Sequence, residues 1–211
     1  RVDYGLGFPW PVVGSEPGYS IELKHPTLDN DLGGSWRGSV GQQRLFNTGS
    51  KWSYFKGRTE PNGESGAWRQ IDFDDADWLH GPTPIGYSRL VPPATELNDM
   101  RREYSTVYFR REFEIEDPAD VETLVFDGIF DDGVNVWING TLVGAANAPA
   151  EEAPFDAIAT GRNNASRIVE FPVDNAQSIL VPGTNVIAVQ LLNEKITGSD
   201  AVFDGALRNT T

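Results

Sequence analysis

Two groups of residues in this 211-residue chain could do chemistry: paired carboxylates, and aromatics set among amides. The carboxylates cluster at Asp131-Asp132-Gly133 and at Asp74-Asp75-Ala76-Asp77. Hard cations take oxygen ligands, and Asp-rich loops supply them. Asp131 and Asp132 are therefore the candidate metal ligands, with Ca2+ the candidate ion. The plainer reading makes them a turn leading into the run that starts at Val134. An EF-hand is excluded, because no Asp-x-Asp-x-Asp-Gly loop closes on a Glu. Glycoside hydrolysis needs two carboxylates across a cleft, about 5–10 Å apart. Neighbours in one turn do not establish that geometry. Asp74–Asp77 reads instead as a turn whose side chains accept backbone N–H groups.

The aromatic candidate is Trp137. Val134, Val136 and Ile138 alternate with Asn135 and Trp137, so Trp137 lies on the face opposite the three apolar residues. If those three face the core, Trp137 faces outward beside Asn135 and Asn139. That is the composition of a sugar platform, because a sugar packs its C–H face on a ring while amides take its hydroxyls. Tyr108 and Arg110, on the polar face of the run from Thr106 to Ile115, join it as candidate ligand-binding residues. The competing reading covers both faces of the strand, since Trp is mostly buried. Trp52, Trp68 and Trp78 read as core.

Other chemistries are excluded more directly. Cysteine is absent and His occurs twice, at His25 and His80, neither near a Gly-x-Ser-x-Gly motif. Glycines are scattered as turn residues, with no phosphate loop. Seventeen Lys and Arg against 31 Asp and Glu give a net charge of −14. Such a chain does not bind nucleic acid or grip an anionic membrane unaided. A polyanionic glycan would need a bridging cation. The same charge favours a monomer. No apolar run approaches the ~20 residues of a membrane helix. The chain starts at Arg1 and is read as a piece of a longer protein.

Positioning these residues requires strands. Short β runs bounded by turn signals recur from residue 51 onward, and helical periodicity is nearly absent. In the run from Thr106 to Ile115, Val107, Phe109, Phe113 and Ile115 share one face. Tyr108, Arg110, Glu112 and Glu114 share the other. Arg111 falls on the apolar side and needs a partner if buried. Further runs lie at Leu124–Phe126, Arg167–Val173, Asn185–Leu192 and Ala201–Leu207. Asn139-Gly140 is the strongest hairpin signal. Residues 145–164 read as a long loop, with a helical turn near Ala150–Ala153. Residues 1–50 are rich in Gly, Pro, Asn and Asp, with one good strand at Tyr19–Leu23, and cannot fold alone. The expected fold is all-β, a sandwich or jelly roll with a barrel as the alternative.

Four motifs then resemble the sugar-binding jelly roll of family 2 glycosidases, over about residues 52–207. They are Trp68-Arg69 with Phe73-Asp74-Asp75-Ala76-Asp77-Trp78; Tyr108–Phe113; Val134–Gly144; and Leu180–Val189. Phe130–Gly133, with Pro84–Tyr87 upstream, is similar to a variant of this galactose-binding-like sandwich in bacterial cell-surface proteins. Gly7–Pro11, Tyr19–Leu23 and Leu28–Trp36 resemble the C-terminal end of a lamin-tail domain. The resemblance implies a jelly-roll β-sandwich over 51–211, with an irregular lamin-tail-like β segment, 1–50, packed on it. In related lectin-like sandwiches an Asp-Asp-Gly turn meets both calcium and sugar hydroxyls, which would be the role of Asp131 and Asp132.

The expected function is a non-catalytic carbohydrate-binding module of a larger secreted or cell-surface bacterial protein, calcium-assisted, with a polysaccharide and the neighbouring domains as partners. The alternative is a structural spacer in a multidomain surface protein. A glycan-active enzyme fragment is the remote third reading.

Overall fold

In the computed structural model, residues 21–38, 42–61, 66–149 and 151–210 are described here. Gly7–Pro11, Tyr19, Ser20 and Ala150, which the sequence reading used, lie outside them. The chain divides into two compact units, one of residues 44–209 and one that contains residues 21–43.

In the smaller unit, β1 (Ile21–Leu23) pairs antiparallel with β2 (Trp36–Gly38). Residues 24–35 between them are held by Lys24 N–H donating to Ser35 O at 2.9 Å, and by the Trp36 indole donating to Asn30 O at 2.9 Å.

The larger unit is a jelly-roll β-sandwich. Its strands are β3 (Gln42–Phe46, in this unit from Arg44), β4 (Lys51–Lys56), β5 (Leu79–Pro82), β6 (Ile85–Tyr87), β7 (Thr95–Glu96), β8 (Thr106–Ile115), β9 (Thr123–Asp131), β10 (Gly133–Ile138), β11 (Thr141–Ala146), β12 (Val169–Pro172), β13 (Gly183–Leu192) and β14 (Ala201–Thr210, in this unit to Asn209). One sheet runs β11-β10-β13-β8-β4-β5; the other runs β12-β9-β14-β6-β7, with β3 also pairing β14. All pairings of the first sheet are antiparallel, and β6–β7 is parallel. The one α-helix among the described residues, α1 (Ala176–Ile179), is a single turn that the sequence reading did not expect. The described part of Ala150–Ala153 carries no helix.

The period-2 patterns decide which side chains meet. Val107, Phe109, Phe113 and Ile115 of β8 face inward with Val134, Val136 and Ile138 of β10 and Ile187, Val189 and Leu191 of β13. They pack on Phe126, Phe130, Phe203 and Leu207 of the second sheet. Trp52 locks the layer, its ring edge-on to Phe46 at 5.4 Å and to Phe203 at 5.2 Å. Arg111 finds the partner that its inward position demands. Its guanidinium lies 4.8 Å over the Phe46 ring and donates to the Lys51 carbonyl. Asn139 and Gly140 take φ of 49° and 80°, and Ile138 pairs with Thr141 across them. That is the two-residue hairpin the Asn-Gly pair favours.

Candidate functional site

The outer face of the first sheet is covered, which corrects the expected sugar platform. Trp137 does point away from Val134 and Val136, but it is 1% exposed. Residues 66–78 and 151–155 fold over it. Trp68 stands edge-on to Trp137 at 5.4 Å and to Tyr108 at 5.0 Å, and the Arg69 guanidinium lies 4.9 Å over the Trp137 ring. Trp78, Phe73 and Phe155 complete this second apolar layer. A half-buried sheet face lined by large aromatics gains more from an apolar cover than from water.

The polar members of the platform are engaged within the fold, Asn135 and Arg110 by this cover, while Asn135 Oδ1 has no hydrogen-bond partner among the described residues. Asn135 is fully buried and donates to Glu151 O at 2.8 Å. Asn139 donates to Ile179 O at 2.9 Å and to Asn185 Oδ1 at 2.7 Å, and accepts from Val186 N–H at 2.9 Å. Arg110, 2% exposed, donates to the carbonyls of Trp68, Gln70 and Phe73 and pairs with Asp75 at 3.1 Å. The Tyr108 hydroxyl meets Glu60 and Gln190, and burial pushes it well above the usual phenol range. These five side chains build the fold. Asp74 caps its turn as the sequence suggests, accepting Ala76 N–H at 3.0 Å.

The open site lies at one end of the sandwich. Three loops meet there: the β9–β10 turn with Asp131 and Asp132, the segment 162–167, and the β13–β14 loop from Asn193 to Asp200. With Arg101 they line a cleft of about 760 Å³. Asp132 holds the loops together. Its Oδ2 accepts Glu194 N–H at 2.8 Å, its Oδ1 accepts Asn163 N–H at 3.3 Å, and its carbonyl accepts from Asn147 Nδ2 at 3.0 Å. Asn163 also donates to Phe130 O at 2.8 Å. Arg162 clasps Glu194 with two contacts of 2.5 Å. Asn193 donates to the Tyr87 hydroxyl at 2.9 Å.

Asp131 stands apart from this network. It is 4% exposed and lines the cleft, yet its carboxyl makes no hydrogen bond or ion pair with any described residue. Burial, and then the charges of Asp132, Asp200 and Glu194, push its pKa up to about 7. Burial raises Asp132 as well, against the two backbone N–H groups that pull it down.

Of the two candidate calcium ligands, Asp131 is the freer. Calcium takes six to eight oxygens, and both carboxylate oxygens of Asp132 already hold backbone N–H groups. Among the described residues no three His, Asp or Glu side chains gather to hold a metal. A nucleophilic site is no better formed. Ser53 Oγ and His80 Nδ1 approach to 3.1 Å in the open, while Asp75, in the same shallow hollow, is tied to Arg110. The cleft residues outside the Asp-Asp turn escape sequence reasoning because they come from loops some 30 and 60 residues away. The one available signal is the polar stretch Gly161–Ser166, with Arg162, Asn163 and Asn164 in succession.

No family model matches the chain, and no curated protein matches it. Solved structures do. A Bacteroides uniformis beta-glucuronidase is 18% identical over 79% of this chain and 18% of that one, with a TM-score of 0.48. A beta-glucuronidase from an uncultured Clostridium species is 13% identical over 82% and 29%, with a TM-score of 0.49. A glycosyl hydrolase family 2 member from Bacteroides cellulosilyticus is 15% identical over 81% and 20%, with a TM-score of 0.48. The chain thus spans less than a third of each of these proteins. No helix among the described residues is long and apolar enough to cross a membrane.

Proposed function

We propose that this chain is a non-catalytic carbohydrate-binding module whose ligand seat is the loop-end cleft. The observation that carries this reading is the composition of that cleft. Amides, hydroxyls, guanidinium groups and carboxyls from three loops surround one open volume of about 760 Å³. A sugar hydroxyl both donates and accepts, so a wall mixing donors with acceptors suits it. The volume falls within the range of about 300–1,000 Å³ common for ligand sites.

The non-catalytic part rests on the carboxyls. Hydrolysis requires an acid and a base or nucleophile on opposite sides of the bond. In this cleft Asp132 ties loops, Glu194 is clasped by Arg162, and Asp200 accepts from Ser199 Oγ at 2.6 Å. That leaves Asp131 alone. The parent we read as an exported bacterial protein, on the motif resemblance only. Affinity electrophoresis against neutral, acidic and amino polysaccharides, with calcium and then with chelator, tests the function. Retardation by at least one glycan is expected, and mobility unchanged on every glycan would end the reading.

A further inference from the structure

We propose that the cleft takes a glycan bearing a free ammonium group, an amino sugar that is not N-acetylated, and that Asp131 receives that ammonium. This rests on the carbohydrate-binding reading and narrows its ligand class.

A buried carboxyl ordinarily has a hydrogen-bond or charge partner, and one without calls for an explanation. Asp131 is 4% exposed, its carboxyl opens onto the cleft, and it has no such partner among the described residues. The groups around it explain why the protein does not supply one. From its own turn comes Asp132, and from the β13–β14 loop come Glu194 and Asp200, all carboxyls. Arg162 is turned to Glu194. Arg101, Arg167 and Lys195 are exposed on the cleft wall, and none pairs with Asp131. The Tyr87 hydroxyl is engaged by Asn193 and Gly198. Asp131 thus has carboxyls as its nearest charged neighbours and no cation paired to it, although Arg101, Arg162, Arg167 and Lys195 line the same open cleft.

An ammonium fits it better than the alternatives. It brings the missing charge and makes charge-assisted hydrogen bonds, stronger than those of a neutral hydroxyl. A divalent metal would compete with the backbone for Asp132. The raised pKa of Asp131, about 7, agrees. An arriving cation lowers it, so binding of an already protonated amine below pH 7 releases a proton from the protein.

Calorimetric titration of the whole chain with a glucosamine tetramer and with its N-acetylated counterpart tests this at about pH 5.5, where the amine and Asp131 both hold their protons before binding, in two buffers of different ionisation enthalpy. The free amine is expected to bind at least tenfold tighter, with an apparent enthalpy that differs between buffers. Asp131→Asn is expected to abolish the preference. Asp120→Asn, which removes the same charge in the turn that precedes β9, should keep it. Should Asp131→Asn fail to fold, the preference and proton release of the unaltered protein decide alone. Equal affinity for both tetramers, or a preference that survives Asp131→Asn, overturns the inference while leaving glycan binding intact. Calcium binding that Asp131→Asn removes overturns it in favour of a metal. If no glycan of any class binds, the broader reading falls too.

Discussion

Asp132 Oδ2 accepts the backbone N–H of Glu194 at 2.8 Å, pinning the β9–β10 turn to a loop 62 residues later in the chain. Its other oxygen holds Asn163. Two adjacent aspartates of the same type thus have opposite roles: Asp132 organises the cleft, and Asp131 faces it without a partner.

Asp132→Ala should therefore cost stability. It strands two backbone N–H groups, each worth about 1–3 kcal/mol when left unsatisfied. Urea denaturation should show a loss of about 2 kcal/mol with an unchanged m-value. A midpoint equal to that of the unaltered protein would contradict the pinning role.

Asp131 should make stability fall as pH rises. Its folded pKa of about 7 lies above the ordinary 3.8, so between these values the folded state holds a proton that the unfolded state has lost. Stability from this group is present below about 4, declines toward 7, and stays low above it. Burial of Asp132 acts in the same direction. Asp99, held down to about 2 chiefly by Lys56 and Arg58 against its own desolvation, contributes evenly across that window. Asp131→Asn should flatten most of the slope in denaturation midpoints measured from pH 4 to pH 8. An unchanged slope would argue against a buried, unpaired carboxyl.

Trp137 should matter to folding and not to binding. Trp137→Ala empties the layer beneath Trp68 and Arg69, a loss of about 3–5 kcal/mol for a buried aromatic. Trp137→Phe should keep the unaltered retardation on glycan gels. Selective loss of retardation, with thermal stability preserved, would restore the sheet face as the site.

Arg110→Lys should be severe despite its kept charge. One ammonium cannot reach three carbonyls and Asp75 in the geometry of a guanidinium fork. Breaking such a buried network costs about 3–5 kcal/mol, measurable as a lowered denaturant midpoint.

The long strands were legible from the sequence because alternation reports which face is apolar. The run from Thr106 to Ile115 is β8, and Asn139-Gly140 is the hairpin turn. Strand faces were legible too, including the outward direction of Trp137. Alternation cannot tell a face open to water from one covered by a distant segment, so the cover by Trp68, Trp78 and Phe155 was not readable. Strands β3 to β7 escape the sequence because they are no more than six residues long, and β5 and β6 carry glycine or proline that reads as turn. The Asp-Asp turn stood out by residue type, while Asn163 and Glu194 join it only through tertiary contact.

The most direct test compares glycan retardation of the unaltered chain with that of an Arg167→Ala, Thr197→Ala double variant, which changes two exposed cleft residues. At equal thermal stability, the unaltered chain should be retarded by at least one glycan and the double variant at least tenfold less. Equal retardation of the two proteins would contradict the cleft as the ligand seat.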